Sequence, residues 1–235
     1  MTSVVDSGGL TPIRVAESDG TVYGLNAGGA GNVAGFRNAQ GQLRPLANSA
    51  RGLSAAGGTG PAQVGFGADG EVLVVTEKAT SRITSFPVRR DGTLGPVVIT
   101  PSSGATPFGF AFDRRDHLLV SEAPGSATSS YRFNEGSAAP ILVSASVPNT
   151  QAAACWMAVT PNGKYAFTAN AGSSSVSSYN VARSGQIALV NAVAGSTGPM
   201  LARWISPCPR TAGGCSRSRP AASKWSRSRS SSMAA

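Results

Sequence analysis

The feature that most constrains this 235-residue chain is a repeat of 45 to 50 residues that occurs four times. The copies align on a short apolar stretch that ends in a polar residue: Asn26, Glu77, Glu122 and Asn170. Nine or ten residues later each copy carries an aromatic residue: Phe36, Phe86, Tyr131 and Tyr179. A fixed period of this length predicts similar structural units that stack on their neighbours.

Each repeat has the sequence features of short β-strands. A first strand is predicted to begin near Pro12, Pro61, Pro107 and Ala153. Asp-Gly or Asn-Gly follows at 19–20, 69–70 and 162–163, and these dipeptides supply the positive φ of two-residue hairpins. Short apolar runs separated by Gly, Asn and Asp are typical of hairpins rather than helices. The sequence therefore predicts four short strands in each repeat.

A four-stranded unit of this length is typical of a β-propeller blade. We predict an all-β fold, a partial β-propeller of about four four-stranded blades, within a body formed by residues 1–199. The predicted blades are 12–49, 61–102, 107–147 and 153–195. A β-sandwich is the alternative fold, although it does not explain the common register of the four copies.

The net charge of +9 is concentrated at one end of the chain. Residues 1–199 hold thirteen Lys and Arg against eleven Asp and Glu, whereas residues 200–235 hold seven basic residues and no acidic one. The tail 200–235 is also rich in Ser and Pro, so we expect it to be disordered. Its Ser-Arg runs are similar to RNA-binding segments, but no RNA-recognition module accompanies them. Nucleic acid is therefore not expected as a partner.

The repeat resembles that of the seven-bladed β-propeller lactonase family, which includes bacterial 6-phosphogluconolactonases and fungal 3-carboxymuconate cyclases. The similarity is carried by GFGADGEVLVVTEKATSRITSFPVRRDGTL in the second copy and VTPNGKYAFTANAGSSSVSSYNVARSGQI in the fourth. Only four blades are recognisable where the family has seven, and another reading frame beneath 203–215 can encode a further inner strand. We therefore expect a truncated or frameshifted member whose tail is out of frame.

The resemblance implies hydrolysis or formation of a small lactone of the sugar-acid or muconate type, with this chain incomplete and weakly active or inactive. Two alternatives are open: a non-catalytic propeller that binds a partner, and a damaged gene product without a function. The implied partner is a small-molecule lactone or an acidic sugar. An unclosed ring would also expose two apolar blade faces, which predicts self-association.

The family's active site lies around the channel, at the end where first strands begin and second strands finish. Glu77 and Glu122 are predicted there as the catalytic acid and base, because lactone hydrolysis needs proton transfer. The alternative for both is a carboxylate that is solvated or bonded to loop amides. Gln63, Trp156 and Asn170 are predicted substrate-binding residues at the same end.

Two arginines, Arg82 and Arg132, are predicted to bind an acidic substrate; the alternative is an exposed residue or a surface ion pair. His117, the only histidine, is expected at the opposite end in a structural or exposed role. Cys155 is interpreted as a small buried apolar residue.

No metal and no cofactor are predicted, since one histidine and scattered carboxylates match none of the usual ligand spacings. The longest apolar run, residues 152–159, is far shorter than the ~20 residues of a membrane-spanning helix, so no membrane contact is expected. No signal peptide follows Met1. The compartment stays unknown, with a cytoplasmic location as the default expectation.

Overall fold

The computed structural model describes residues 4–196, which form seventeen strands and, within that range, no helix. Sheet 1 contains β1 (Pro12–Ser18), β2 (Thr21–Asn26), β3 (Asn32–Ala39), β4 (Gln42–Pro45) and β5 (Arg51–Gly52). Sheet 2 contains β6 (Pro61–Phe66), β7 (Val72–Glu77), β8 (Arg82–Pro87) and β9 (Val98–Pro101). Sheet 3 contains β10 (Pro107–Phe112), β11 (Leu118–Glu122), β12 (Ala127–Arg132) and β13 (Ile141–Pro148). Sheet 4 contains β14 (Ala154–Val159), β15 (Tyr165–Asn170), β16 (Ser175–Val181) and β17 (Ile187–Ser196).

Every sheet is an antiparallel meander in which strand order follows chain order. Sheet 1 alone departs from four strands, because both β4 and β5 pair with β3 and share the place of an outer strand. The first strands contact one another in succession, β1 with β6, β6 with β10 and β10 with β14. Sheets that meet along their first strands are arranged radially, which confirms the predicted partial propeller. The tail 200–235 lies outside the described residues.

The first turns of the repeats differ in length. Asp19 and Gly20 both have positive φ, 47° and 72°, and form the predicted two-residue hairpin between Ser18 and Thr21. In the second copy the Asp69 side chain accepts a hydrogen bond from the Glu71 N–H at 2.8 Å. In the fourth copy the Asn162 side chain accepts one from the Lys164 N–H at 3.0 Å. Such Asx turns need only one left-handed residue, the following glycine. The two-residue hairpin prediction is wrong for these two copies.

Successive side chains of a strand point to opposite faces of the sheet, and each repeat uses both faces. We call the face that meets the next sheet in the chain the forward face, and the other the backward face. Three apolar cores result, one at each junction between sheets. The first holds Tyr23, Leu25, Leu73 and Val75; the second holds Val72, Val74, Leu118 and Val120; the third holds Leu119, Ala166 and Tyr179.

The repeat's aromatic residue belongs to the backward face. Phe86, Tyr131 and Tyr179 are each no more than 1% exposed and lie in the cores toward the preceding sheet. A buried aromatic side chain contributes a large apolar area to such a core. The spacing of these three aromatics in the sequence therefore records the stacking of sheets 2, 3 and 4 on the sheets before them. Residues 4–196 contain no helix that is long and apolar enough to cross a membrane.

Candidate functional site

The sheets have two distinct ends. At the turn end lie the hairpins between first and second strands, such as Asp19-Gly20. At the connection end the second strands finish and the segments between sheets pass. Gln63 and Trp156 each occupy the third position of a first strand, next to a bulge, and pair with Thr76 and Ala169 near the connection end. Arg14 has the same position in β1.

A cation–aromatic cluster, formed by Arg14, Lys78, Phe108 and Trp156, lies at this end of the first strands. The guanidinium carbon of Arg14 is 4.1 Å from the centroid of the Trp156 ring. Trp156 meets Phe108 edge to face, with 5.1 Å between the ring centroids. The Lys78 Nζ is 5.1 Å from the Phe108 ring centroid. Arg14 of sheet 1 and Trp156 of sheet 4 thus meet although they are 142 positions apart in the chain.

Glycine at position 109 allows sheet 4 to approach sheet 3 closely enough to form this cluster. A Cβ at Gly109 would lie 2.4 Å from the Cys155 carbonyl oxygen and 3.0 Å from the Trp156 Cα. Both are backbone atoms that cannot move aside without shifting a strand. The close approach therefore depends on the missing side chain.

The cluster has the electrostatic character of an anion site. Lys and Arg side chains over aromatic faces are held by the ring quadrupole, which positions two positive charges beside a partly exposed apolar surface; Trp156 is 41% exposed. Burial raises the pKa of the neighbouring Cys155 thiol, while a backbone hydrogen bond and the Lys78 charge act in the opposite direction. Cys155 was interpreted as buried, and the structure shows it only half-buried.

Glu77 is an anchor for the segment between sheets 1 and 2. It is fully buried, and its carboxylate accepts hydrogen bonds from the Ser54 backbone N–H at 3.0 Å and from the hydroxyls of Thr80 at 2.7 Å and Thr84 at 2.5 Å. The Ser54 hydroxyl donates a fourth bond. A carboxylate offers about four acceptor sites, so Glu77 is saturated.

Glu122 has the equivalent place in sheet 3 but only half the partners. Its Oε1 accepts a hydrogen bond from the Gly104 N–H at 2.8 Å, whereas its buried Oε2 has no partner. The carboxylate is packed tightly, because a Cβ at Gly104 would lie 2.2 Å from Oε2. One oxygen of Glu122 is therefore free to bond, within a residue that is 1% exposed.

The two asparagines of the repeat make bonds of the same kind. Asn170 Oδ1 accepts a bond from Asn149 at 2.8 Å, and Asn26 donates to the Ser7 carbonyl oxygen at 3.0 Å. In all four copies the polar residue that ends the second strand thus bonds to the segment just before its own sheet. The repeated polar position ties each sheet to the chain that enters it.

The remaining predicted binding residues lie in different places. The Gln63 side chain donates to the Phe110 carbonyl oxygen at 2.9 Å and accepts from the Phe110 N–H at 3.1 Å, joining sheets 2 and 3. Arg82 is exposed and pairs in register with Glu77 at the connection end. Arg132 follows Tyr131, which pairs with Leu118 at the turn end. The structure therefore brings Arg82, but not Arg132, to the end that carries the cluster.

His117 lies at the turn end, as expected, with its Nδ1 2.9 Å from the Asp113 Oδ2. It is 7% exposed, so the structural role holds and the exposed alternative does not. Nearby, burial and a hydrogen bond with Asp69 raise the pKa of Asp116 to about 6. This carboxylate pair borders a cavity of about 740 Å³ between sheets 1, 2 and 3. Within residues 4–196 no group of three or more His, Cys, Asp or Glu could hold a metal ion.

Arg14 and Lys78 are the residues that the sequence prediction missed. Arg14 occupies the same position in its first strand as Gln63 and Trp156, so the repeat register alone offered a signal. Lys78 directly follows the anchored Glu77, and this anchor fixes the point where the Lys78 side chain leaves the sheet.

Comparison with known proteins agrees with the four-sheet arrangement. The family model described as "Lactonase, 7-bladed beta-propeller" matches residues 30–149, slightly more than half of the chain. The chain belongs to the seven-bladed β-propeller lactonase family. Among curated protein sequences, none matches this lactonase-family chain significantly.

Solved structures show the same fold at low sequence identity. The periplasmic gluconolactonase of Pseudomonas aeruginosa is 18% identical with a TM-score of 0.64, and the match covers 75% of this chain and 52% of that one. A putative 6-phosphogluconolactonase of Bacteroides fragilis is 16% identical, with the same TM-score and coverage. Another from Bacteroides uniformis is 17% identical with a TM-score of 0.63, covering 79% and 56%. The lactonase-family chain thus spans little more than half the length of these proteins.

Proposed function

We propose that the cation–aromatic cluster binds the anionic group of an acidic lactone or sugar acid, in a protein that hydrolyses or forms a small lactone. The observation that carries this proposal is the placement of Arg14 and Lys78 at the two ends of the Phe108–Trp156 pair. Family membership supports the ligand class, since similar folds include a gluconolactonase and putative 6-phosphogluconolactonases.

The chemistry of lactone hydrolysis suits a cationic site. Water adds to the ring carbonyl carbon and gives up a proton to a base, and negative charge develops on the carbonyl oxygen. The ring C–O bond then breaks, and the leaving oxygen takes a proton. A guanidinium or ammonium group beside the carbonyl stabilises the developing charge. The planar donors of Arg14 would suit a carboxylate or phosphate, and the Lys78 ammonium would add a compact positive charge.

The predicted acid–base role is better supported for Glu122 than for Glu77. Glu77 uses its acceptor sites on four donors, whereas the Glu122 Oε2 has no partner. Contact between Glu122 and a substrate would require the Gly104 segment to move, because the carboxylate is buried beneath it. Arg82 is a further proposed anion contact at the same end, with Gln63 and Asn170 as positioning residues.

A non-catalytic binding protein is the second candidate. The observation that favours it is the burial of both carboxylates, 0% and 1% exposed, which leaves neither in contact with solvent water. Such a protein would hold an acidic ligand at the cluster without converting it.

Ligand binding tests the proposal directly. Titration calorimetry with 6-phosphogluconate, gluconate and glucose should show binding of the acids and none of the neutral sugar. Arg14→Gln and Lys78→Gln should each weaken binding of the acids about tenfold, which corresponds to about 1.4 kcal/mol. Arg44→Gln, an exposed arginine on β4, is the control and should bind normally. Equal affinity for acid and neutral sugar would contradict the anion site.

Turnover separates the two candidates. Hydrolysis of 6-phosphogluconolactone, followed by acid release in a pH-stat, should be lost in Glu122→Gln and retained in a folded Glu77→Gln protein. If the unsubstituted protein bound the acids but did not hydrolyse 6-phosphogluconolactone, the result would favour the non-catalytic binding protein. Hydrolysis that survives Glu122→Gln would show that another group provides the base.

A further inference from the structure

Glu77 and Glu122 have the same place in their sheets, so the donors around them can be compared position by position. Each ends a second strand, and in both copies a loop of four residues leads to the third strand. Each carboxylate also accepts a hydrogen bond from a backbone N–H of the segment that enters its sheet, from Ser54 and from Gly104. The side-chain donors, however, differ at three positions.

The first difference is a serine hydroxyl. Ser54 donates to Glu77 through its N–H and through its hydroxyl, whereas Gly104 has only its N–H to offer, at 2.8 Å from Glu122 Oε1. The other oxygen, Oε2, lies 2.2 Å from the place that a Cβ would take at Gly104. Because no side chain fits there, the incoming segment of sheet 3 supplies no hydroxyl to Oε2.

The second difference is a threonine hydroxyl. Thr80 lies three residues after Glu77 and donates to its carboxylate at 2.7 Å. Three residues after Glu122 the chain has Gly125. A Cβ at Gly125 would meet no atom within 4 Å, and the φ of this glycine lies outside the left-handed region. The place of a donor is therefore open in sheet 3, and a side chain could occupy it without strain.

The third donor is present but used elsewhere. Thr84 donates to Glu77 at 2.5 Å, whereas its counterpart Ser129 donates to the Tyr131 hydroxyl at 3.2 Å. Glu122 Oε2 is therefore buried without a partner, and no cation of residues 4–196 forms an ion pair with it. A buried acceptor without a donor costs free energy, so Oε2 is suited to a donor that arrives from outside the chain.

We propose that Glu122 Oε2 accepts a hydrogen bond from a hydroxyl group of the bound ligand, and that Gly125 determines this specificity by leaving the hydroxyl's place open. The inference rests on the proposed function, because the ligand is the acid held at the cation–aromatic cluster. It adds a second point of recognition, which reads a neutral group of that acid.

The position of Glu122 beside the cluster supports this assignment. Glu122 pairs in register with Pro107, and the next residue, Phe108, carries one of the two rings of the cluster. A ligand with its anionic group at the cluster can present a hydroxyl to Oε2 once the Gly104 segment moves. The carboxylate repels the charged end of an acid, so the ligand turns a hydroxyl toward Glu122.

The chemistry of the position selects an O–H donor. In sheet 2 the equivalent space is filled by the hydroxyls of Ser54 and Thr80, so a hydroxyl has the right size and direction. A site built to bond a ligand hydroxyl discriminates strongly against an analogue that lacks it.

Two acids of equal chain length separate this inference from the proposed function. Gluconate carries hydroxyls along its chain, and hexanoate carries none. Titration calorimetry of the unsubstituted protein should show gluconate binding about tenfold more tightly than hexanoate. If neither acid binds, the anion site is wrong, and the hydroxyl contact is wrong with it. If both bind equally and both weaken in Arg14→Gln, the anion site holds and only the hydroxyl contact is wrong.

A pair of variants of equal shape tests the role of Gly125. Gly125→Thr introduces the hydroxyl that Thr80 provides in sheet 2, and Gly125→Val has the same shape without the hydroxyl. Both should occupy the place of the ligand hydroxyl, and so remove the preference for gluconate while hexanoate binds as before. Only the threonine should satisfy Oε2, so in urea denaturation its unfolding equilibrium constant should be about tenfold smaller than that of the valine variant.

The reverse exchange in sheet 2 is the control. Thr80→Gly removes one donor from Glu77, which keeps its other donors. This variant should be less stable than the unsubstituted protein and should keep the preference for gluconate.

Two results with the Gly125 variants would also overturn the inference. A preference for gluconate that survives in Gly125→Thr would show that the ligand hydroxyl binds elsewhere. Equal stability of Gly125→Thr and Gly125→Val would show that a hydroxyl at this position does not reach Oε2.

Discussion

The junction between sheets 2 and 3 and the outward face of sheet 4 are made from the same repeat, yet their side chains have opposite surroundings. Val74 on the forward face of sheet 2 is fully buried against sheet 3, whereas its equivalent Phe167 on sheet 4 is 37% exposed. The strands themselves are alike, since β7 and β15 have the same length and the same pairing with their neighbours.

The difference shows that strand formation and side-chain burial have separate origins in this molecule. Alternating apolar residues and short turns produce each sheet by itself. Burial of a face depends on a neighbouring sheet, and in repeat proteins stability comes largely from these nearest-neighbour interfaces. The following four predictions test this contrast, from the largest expected effect to the smallest.

Removal of a junction aromatic should have the largest effect. Phe86→Ala would open a cavity in the core between sheets 1 and 2, and the expected loss is about 3–5 kcal/mol of unfolding free energy. Phe167→Ala, measured by urea denaturation at a protein concentration too low for association, should cost less than about 1.5 kcal/mol. Equal losses would show that the outward face is covered within a single chain.

Addition of a single methyl group at a junction should cause the next largest loss of stability. Gly109→Ala places a Cβ against the backbone of sheet 4, and overpacking of this kind costs about 1–3 kcal/mol. It should also weaken acid binding at the cation–aromatic cluster, because Trp156 would be displaced. Gly195→Ala is the control, since nothing lies within 4 Å of a Cβ there; its stability should be unchanged. An unfolding free energy of Gly109→Ala no lower than that of Gly195→Ala would contradict the close approach.

The anchoring carboxylates should respond differently to a neutral amide. Glu77→Gln directs N–H donors at groups that already donate to it, and leaves a buried donor unsatisfied at a cost of about 1–3 kcal/mol. Glu122→Gln can accept from Gly104 with its amide oxygen and place its N–H₂ where Oε2 lacks a partner, so less than about 1 kcal/mol is expected. Thermal unfolding of both variants measures the contrast. A larger loss in Glu122→Gln would mean that Oε2 has a partner such as water or an ion.

The smallest effect concerns pH and the turn end of the junction between sheets 2 and 3. The pKa of Asp116 is raised to about 6 from 3.8, first by burial and then by its bond with Asp69. The folded state therefore keeps a proton that the unfolded chain has lost, and this contribution is present below about pH 4 and disappears as pH rises through about 6. The melting temperature should decline over that range, and Asp116→Asn should flatten the decline. An unchanged slope in the variant would assign it to other groups.

Much of the fold could be predicted because its signals are local. Prolines at positions 12, 61 and 107 begin first strands, as expected, and the recurring aromatics Phe86, Tyr131 and Tyr179 are each no more than 1% exposed. The turns were less predictable: Asp69 and Asn162 form Asx turns rather than two-residue hairpins, because side-chain hydrogen bonds decide between loops of similar composition.

The candidate site was predicted only as an end of the sheets. Glu77 and Glu122 stood out as charged residues at a repeated position, but the sequence does not show that four donors surround one of them and one donor the other. The repeat register places Arg14 at the same strand position as Trp156, but its contact with the Trp156 ring joins the first and fourth sheets. No pattern within one repeat records a contact between side chains so far apart in the chain.

The sequence by itself determined that the chain forms repeated sheets of short strands, and it marked the polar position that ends each second strand. These properties depend on alternation and turn chemistry over a few residues. Tertiary structure decided which apolar faces are covered, which carboxylate is saturated, and that Arg14 and Lys78 gather around one aromatic pair. Those outcomes depend on the radial stacking of the sheets, since only that stacking brings side chains from distant repeats within bonding distance.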